Sequence, residues 1–276
     1  MLDVLKALLF GIVEGITEWL PISSTGHMIL LDEFVKMEVS EAFWNVFLVV
    51  IQLGAILAVV VLFRNTIWPF DPKKNVTEKK AVWYLWAKIL ISCIPAGIVG
   101  VLFDDWLDEH LYNATVVAIS LIAFGVAFLV IENYNKEKTP KINSLNMIDV
   151  KTALIIGAFQ LIAAIFPGTS RSGATILGAL LIGVSRTVAA EYTFFLAIPV
   201  MAGASLLKIV KYIHNNGASF TGTEAAVLAT GVITAFVVSV FVIKFLLNYI
   251  RRHDFKVFGY YRIALGVVVL LYFMLA

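Results

Sequence analysis

Six runs of this chain stay apolar for about 20 residues, the length an α-helix needs to cross the hydrocarbon core of a bilayer. They lie near 41–63, 82–103, 114–132, 187–212, 223–248 and 258–275. Within lipid the backbone must satisfy its own hydrogen bonds, and for runs of this length that means helices. The chain therefore reads as an all-α polytopic membrane protein. Composition agrees: 61% of the 276 residues are hydrophobic and 14% charged, against about 25% charged in a soluble domain. No separate soluble region is visible, so residues 1–276 read as a single integral membrane domain. The N-terminal stretch does not read as a signal peptide, because Glu14 and Glu18 interrupt its apolar run. Cys93 is alone, which excludes an internal disulfide or a cysteine-rich metal site. There is no dinucleotide fingerprint, Walker-type loop or HExxH, and no nucleic-acid partner is indicated.

Two further apolar segments, 4–31 and 150–182, break in the middle. The first breaks at Pro21 and the polar residues Ile22–His27, the second at "FPGTSRSG", Phe166–Gly173. Each half is too short to cross a membrane alone, and proline and glycine mark where the helix stops. Non-helical backbone is tolerated at membrane depth only when protein or water surrounds it. Two re-entrant helix–loop–helix hairpins are expected, each entering and leaving on one side.

The two segments align without gaps at an offset of 146, matching Asp3/Asp149, Gly11/Gly157, Pro21/Pro167 and Ser24/Ser170 among others, with Glu14 facing Gln160. Each is followed by three spanning segments, an odd number, so the second copy should be upside down relative to the first. The expected architecture is an inverted-topology repeat, with repeat 1 about 1–132 and repeat 2 about 149–276, whose broken helices meet near mid-bilayer as in many transporters. Loops 64–80, 133–151 and 249–257 hold most of the lysines and arginines; the other side has Lys6, Lys36, Lys208, Lys211 and the acidic "DDWLDEH" at 104–110. The basic side should be cytoplasmic, with both termini outside.

Glu14 and Glu18 share a helix face at a spacing of four. Like charges there repel, more strongly at low dielectric, and intramembrane carboxylates usually face a water-filled cavity. Leaving both ionised calls for a cation, and hard oxygen donors suit Mg²⁺ or Ca²⁺; a solvated helix face is the alternative. Ser23, Ser24, Thr25, Gly26 and His27 follow, before a second helix whose first N–H groups would attract phosphate. Gly168, Thr169, Ser170, Arg171, Ser172 and Gly173 repeat the device. Arg171 brings a guanidinium suited to phosphate oxygens; a structural ion pair with Glu14 or Glu18 is its other reading. Acids from one hairpin and a cation from the other would clamp a pyrophosphate. Lys88, Lys244 and Arg262 are expected to snorkel toward the cytoplasmic ends of their helices.

"EGITEWLPISSTGHMIL" and "PGTSRSGATI", with "VVIQLGAILAVVV", "IPA" and "GVSRTVAAEYTFFLAIP", resemble the bacterial undecaprenyl pyrophosphate phosphatases, the bacitracin-resistance family. The likeness spans essentially the whole chain. It implies hydrolysis of undecaprenyl pyrophosphate to the monophosphate, recycling the lipid carrier for peptidoglycan and countering bacitracin. It also implies a divalent-ion requirement, a homodimer, and a multi-pass protein of the bacterial plasma membrane with its active site opening outward. "STGH" also echoes phosphatidic-acid-type phosphatases, but Leu177 and Tyr192 stand where their second motif needs histidine. The mechanism expected is attack by Ser24, with Glu18 as base, Glu14 holding the metal, Arg171 neutralising the transferring group, and His27 protonating the leaving phosphate or positioning Ser24. Direct attack by metal-activated water is the alternative. So is a lipid-phosphate flippase using the same inverted-repeat site.

Overall fold

The computed structural model describes residues 2–217 and 220–275; the side chains of residues 104, 105, 108 and 216 lie outside the description, and with them three of the four carboxylates of the acidic segment at 104–110. Eleven α-helices form the described chain: α1 Leu2–Thr17, α2 Ser24–Phe34, α3 Glu41–Leu62, α4 Arg64–Ile67, α5 Val76–Leu111, α6 Ala114–Asn135, α7 Val150–Ile165, α8 Arg171–Leu181, α9 Arg186–Asn216, α10 Gly222–Ile250 and α11 Lys256–Leu275. Among the described residues the only β-type pairing is an isolated bridge between Ile142 and Val184. Six helices are long and apolar enough to cross a membrane: α3, α5, α6, α9, α10 and α11. They coincide with the six runs expected from sequence, and the protein is a multi-pass membrane protein.

Local chemistry sets the helix ends. Ser40, Asn113 and Asp149 accept hydrogen bonds from the first turns of α3, α6 and α7. Asn75 with Glu78, and Thr221 with Glu224, form reciprocal capping boxes that start α5 and α10. Pro95 and Pro199 lie inside α5 and α9.

The two broken segments are helix pairs, α1–α2 and α7–α8, of 16 and 11 residues each. Their surroundings correspond. α1 packs on α10 and α7 packs on α5, while α3 meets α9 and α6 meets α11. Small residues allow these approaches. A methyl group added at Gly11 would lie 2.7 Å from the carbonyl oxygen of Gly231, and one at Gly157 would lie 2.5 Å from that of Ser92. Where α6 crosses α11, Gly125 and Gly259 abut: a Cβ on either would come within 3 Å of the other's carbonyl oxygen, at 2.8 and 2.9 Å. Close backbone approach of this kind replaces the hydrophobic driving force that lipid does not provide between helices.

Gly125→Leu should therefore overpack the α6–α11 crossing and destabilise the protein by about 1–3 kcal/mol. A lower unfolding temperature in detergent is the expected reading; an unchanged one would contradict the close crossing.

Candidate active site

Two loops, 18–23 and 166–170, meet in the interior. Each ends on a serine in the left-handed region, Ser23 at φ 73° and Ser170 at φ 68°. A non-glycine residue held there costs on the order of 1–3 kcal/mol unless its surroundings compensate. Each serine then caps the next helix: Ser23 Oγ accepts from Gly26 N at 3.3 Å and Ser170 Oγ from Gly173 N at 3.1 Å. The backbone thus pairs Ser23 with Ser170. The ungapped alignment, which paired Ser24 with Ser170, is off by one residue inside the loop, because the second loop holds an extra residue between its proline and its capping serine.

The first residue of each following helix is polar and turned toward the junction of the two loops. Ser24 opens α2 and Arg171 opens α8, and both reach Glu18, just past the end of α1. Ser24 Oγ donates to Glu18 Oε2 at 2.8 Å, and Arg171 NH2 donates to Glu18 Oε1 at 2.7 Å. Arg171 NH1 also donates to the Thr193 carbonyl of α9 at 3.0 Å. Of the two ion-pair partners open to Arg171, it takes Glu18. Ser172 Oγ donates to the Glu18 carbonyl at 3.1 Å, tying the second hairpin to the end of α1.

A cavity of about 300 Å³ opens beside this junction. Glu18, Ser24, Thr25, Gly168, Ser170 and Arg171 line it, with Gln52 of α3 and Ala164 of α7. The remaining expected residues lie behind. Ser23, Gly26, Thr169, Ser172 and Gly173 shape the loops without reaching the cavity. The amides of Gly26 and Gly173 are spent on the caps, so anion binding falls to the earlier amides of each first turn. Gly168 sits at φ +86°, and a Cβ there would stand 2.5 Å from the carbonyl oxygen of Val117; no side chain fits there. His27 has both ring nitrogens engaged: Nδ1 lies 2.7 Å from the Ser23 carbonyl and Nε2 2.7 Å from the Tyr261 hydroxyl, with the two rings stacked.

Glu14 lies buried one turn before Glu18, and its Oε1 has no hydrogen-bond partner among the described residues. No three His, Cys, Asp or Glu side chains converge into a metal cage among the described residues. The donors present fit a hard divalent ion that takes one or two carboxylates and completes its shell with phosphate oxygens and water.

Arg262 corrects an expectation. It does not snorkel: it is fully buried in α11. Its NH1 donates to the Pro21 carbonyl at 3.2 Å, and its NH2 to those of Gly168 and Thr169 at 3.0 and 2.7 Å. One guanidinium thus holds both loops by their backbones. An arginine inside a candidate span, "YYRIALGVVVLL", is itself a signal of an interior role. Lys88 likewise does more than snorkel, donating to the Ile148 carbonyl at 2.8 Å ahead of α7.

A family model described as "Bacitracin resistance protein BacA" matches residues 7–268. The chain belongs to the BacA family. Among curated relatives, "Undecaprenyl-diphosphatase 1" of Clostridium acetobutylicum is 62% identical, over 99% of this chain and 98% of its own. "Undecaprenyl-diphosphatase" of Desulfitobacterium hafniense is 60% identical, over 99% and 97%, and that of Enterococcus faecalis 57%, over 98% and 97%. The BacA match covers both loops and Arg262.

Arg262→Met should strand three buried carbonyls, each costing about 1–3 kcal/mol, so a total loss of roughly 3 kcal/mol or more is expected together with loss of turnover. Arg262→Lys should rescue little, because an ammonium cannot reproduce the planar fork that spans both loops. Thermal unfolding in detergent reads this directly; wild-type stability in the Met variant would remove Arg262 from its stapling role.

Proposed function

We propose that the chain hydrolyses undecaprenyl diphosphate, the substrate its relatives are named for, to undecaprenyl phosphate and inorganic phosphate. The observation that carries the mechanism is the Glu18 carboxylate, which holds a hydroxyl from one loop and a guanidinium from the other. A serine is a useful nucleophile only with a base in hydrogen-bond reach, and Ser24 has one at 2.8 Å. Ser24 Oγ attacks the terminal phosphorus as its proton passes to Glu18. The bond from that phosphorus to the bridging oxygen breaks, and the polyprenyl monophosphate leaves with the electron pair. Glu18 passes the proton taken from Ser24 to the departing monophosphate and is a carboxylate again. Water then attacks the serine ester as Glu18 takes its proton, the bond from phosphorus to Ser24 Oγ breaks, and phosphate leaves as Glu18 returns the proton to Ser24 Oγ. Arg171 faces the cavity and offers its positive charge to the equatorial oxygens, where charge accumulates.

His27, bonded to the Ser23 carbonyl, fits the second of its two expected roles, positioning the Ser23–Ser24 turn. A divalent cation, Mg²⁺ or Ca²⁺, would be held by Glu14 and Glu18 and would supply charge neutralisation to the diphosphate oxygens. The thread of exposed apolar residues on α5, such as Ile98, Val101 and Leu102, gives the polyprenyl chain a lipid-facing path beside the cavity wall at Gly100 and Leu107.

Several observations support two re-entrant hairpins of opposite orientation. The helix pairs have equal lengths, their capping serines share one rare backbone conformation, and each pair meets the equivalent helix of the other half. On that reading repeat 1 and repeat 2 sit upside down to one another. The charge distribution then puts the basic loops in the cytoplasm, and both termini and the mouth of the catalytic cavity on the outer face of the bacterial plasma membrane. That is also where a bacitracin-sensitive diphosphate would be met. Homodimerisation rests on the family resemblance alone, and cross-linking in native membranes tests it. The flippase alternative is not favoured, since relatives matching end to end carry the diphosphatase name.

Phosphate release from undecaprenyl diphosphate by the purified protein, with Mg²⁺ or Ca²⁺ and with a chelator, is the deciding experiment. Release abolished by the chelator is expected; no release under any ion would overturn the assignment. Ser24→Ala should slow turnover roughly 10²–10⁴-fold, the usual range for losing a positioned acid–base pair with its nucleophile. Near-normal turnover would instead favour direct attack by water. Arg171→Ala should cost roughly 10²–10³-fold, and full activity would take Arg171 out of the site.

A further inference from the structure

A second cavity is larger than the one beside Glu18 and Ser24. It measures about 1020 Å³ and lies at the base of the second hairpin, where α7 begins and α8 ends. Leu181 on its wall is ten residues along α8 from Arg171, about 15 Å at the helical rise. The two cavities are therefore separate places at opposite ends of one hairpin.

Its lining is strongly basic. Lys136, Lys138, Lys141, Lys151, Arg186 and Arg251 converge on it from the α6–α7 connection, α7, α9 and the end of α10. The single carboxylate in the wall, Glu132, is already used: both its oxygens accept from Arg186, and it also accepts from Phe255 N at 3.0 Å. Asp149, near Lys151, accepts from Thr152 N as the cap of α7, and Lys138 lies over the Tyr134 ring. Among the described residues, Lys136, Lys141 and Lys151 form no ion pair within 4 Å. The start of the 31-residue α9 also opens here through Ser185, Arg186 and Thr187, and the Ser185 side chain does not cap it. Its first amides and its dipole add positive potential to the cavity.

The lining also has an apolar part. Ile155, Leu181 and Val184 belong to it, and Leu181 and Leu154 of the same hairpin are 46% and 45% exposed. A free anion would gain nothing from that part, whereas a phosphate carried on a hydrocarbon chain would use both. We propose that this cavity is a second phosphate site, which takes the head group of an anionic membrane lipid from the leaflet bordering the base of the second hairpin. Its chain would lie along Leu181 and Leu154. Bound there, the lipid would brace the α7–α8 hairpin from the end remote from Ser24 and Arg171.

Native mass spectrometry of the delipidated full-length protein, titrated with dioleoyl phosphatidic acid or dioleoyl phosphatidylcholine, tests this. The phosphatidic acid adduct should be the tighter and should weaken with rising salt. Replacing Lys136, Lys141 and Lys151 together by Gln should raise its Kd roughly 10²-fold, about fivefold per lysine near a lipid surface. The same three positions changed to Arg should restore binding, and Arg171→Ala, in the catalytic pocket, should not alter it. Binding lost in Arg171→Ala but kept in the glutamine variant would place the lipid in the catalytic cavity and overturn the proposal. Equal binding of phosphatidylcholine would overturn it as well, as would insensitivity to salt. Displacement of the adduct by an equal concentration of inorganic phosphate would assign the cavity to a free anion instead.

Discussion

Irregular backbone in the middle of an apolar bundle has to find hydrogen-bond donors, and Arg262 supplies them. Its guanidinium donates to carbonyls of both loops, which neither water nor lipid could do at that depth without cost. The arrangement fixes more than stability. Because one planar group touches Pro21 on one side and Gly168 and Thr169 on the other, the separation of the two loops is set by its dimensions. The approach of Arg171 to Glu18, which spans the two loops, depends on that separation. A buried, unpaired cation is expensive, and here it is held by three carbonyl dipoles together with the face of Phe124, whose centroid is 5.9 Å away.

The same local device does different work in the two halves. Ser23 and Ser170 share a conformation and a capping bond, yet the residue each presents next is a hydroxyl in one half and a guanidinium in the other. Aligned positions of the two hairpins differ in the same way: Glu14 on α1 against Gln160 on α7, and Glu18 just past α1 against Ala164. Had both halves kept the acids, four carboxylates would repel one another at low dielectric. With the acids on one side and the guanidinium on the other, Glu18 is paired with Arg171 and that pair joins the two loops. On the proposed mechanism, substrate would compete with Glu18 for Arg171, exchanging one anion for another.

What could be read from sequence follows the strength of each signal. The six spans were legible because about 20 apolar residues in a row admit little else. Both breaks were legible because proline and glycine interrupt that pattern, and Glu18, Ser24 and Arg171 because polar groups at membrane depth demand a purpose. The loop register was not, since an offset that matches Pro21 to Pro167 also matches a serine to a serine. Only the positive φ of Ser23 and Ser170 separates the two alignments. Arg262 was misjudged because position along a helix suggested an end, whereas the folding of α11 against α6 put that end inside the bundle. His27 was ambiguous in role because its partner, Tyr261, is 234 residues away.

The second hairpin links the two cavities physically. α8 begins with Arg171 at the catalytic junction and ends with Leu181 in the basic cavity, and it is buried along most of its length. Thr175 ties its middle to α9 through Thr193, hydroxyl to hydroxyl at 2.9 Å, and the Thr193 carbonyl receives Arg171. Asn135 holds its far end by donating to the Leu180 carbonyl at 2.9 Å. A short helix fixed at both ends and in the middle behaves as a strut. Displacing its base would shift Arg171 at its other end, and on the proposed mechanism that moves the guanidinium relative to the phosphate oxygens it would stabilise. The packing that holds the Arg171 guanidinium beside Glu18 is the same packing that joins the base of the hairpin to that junction.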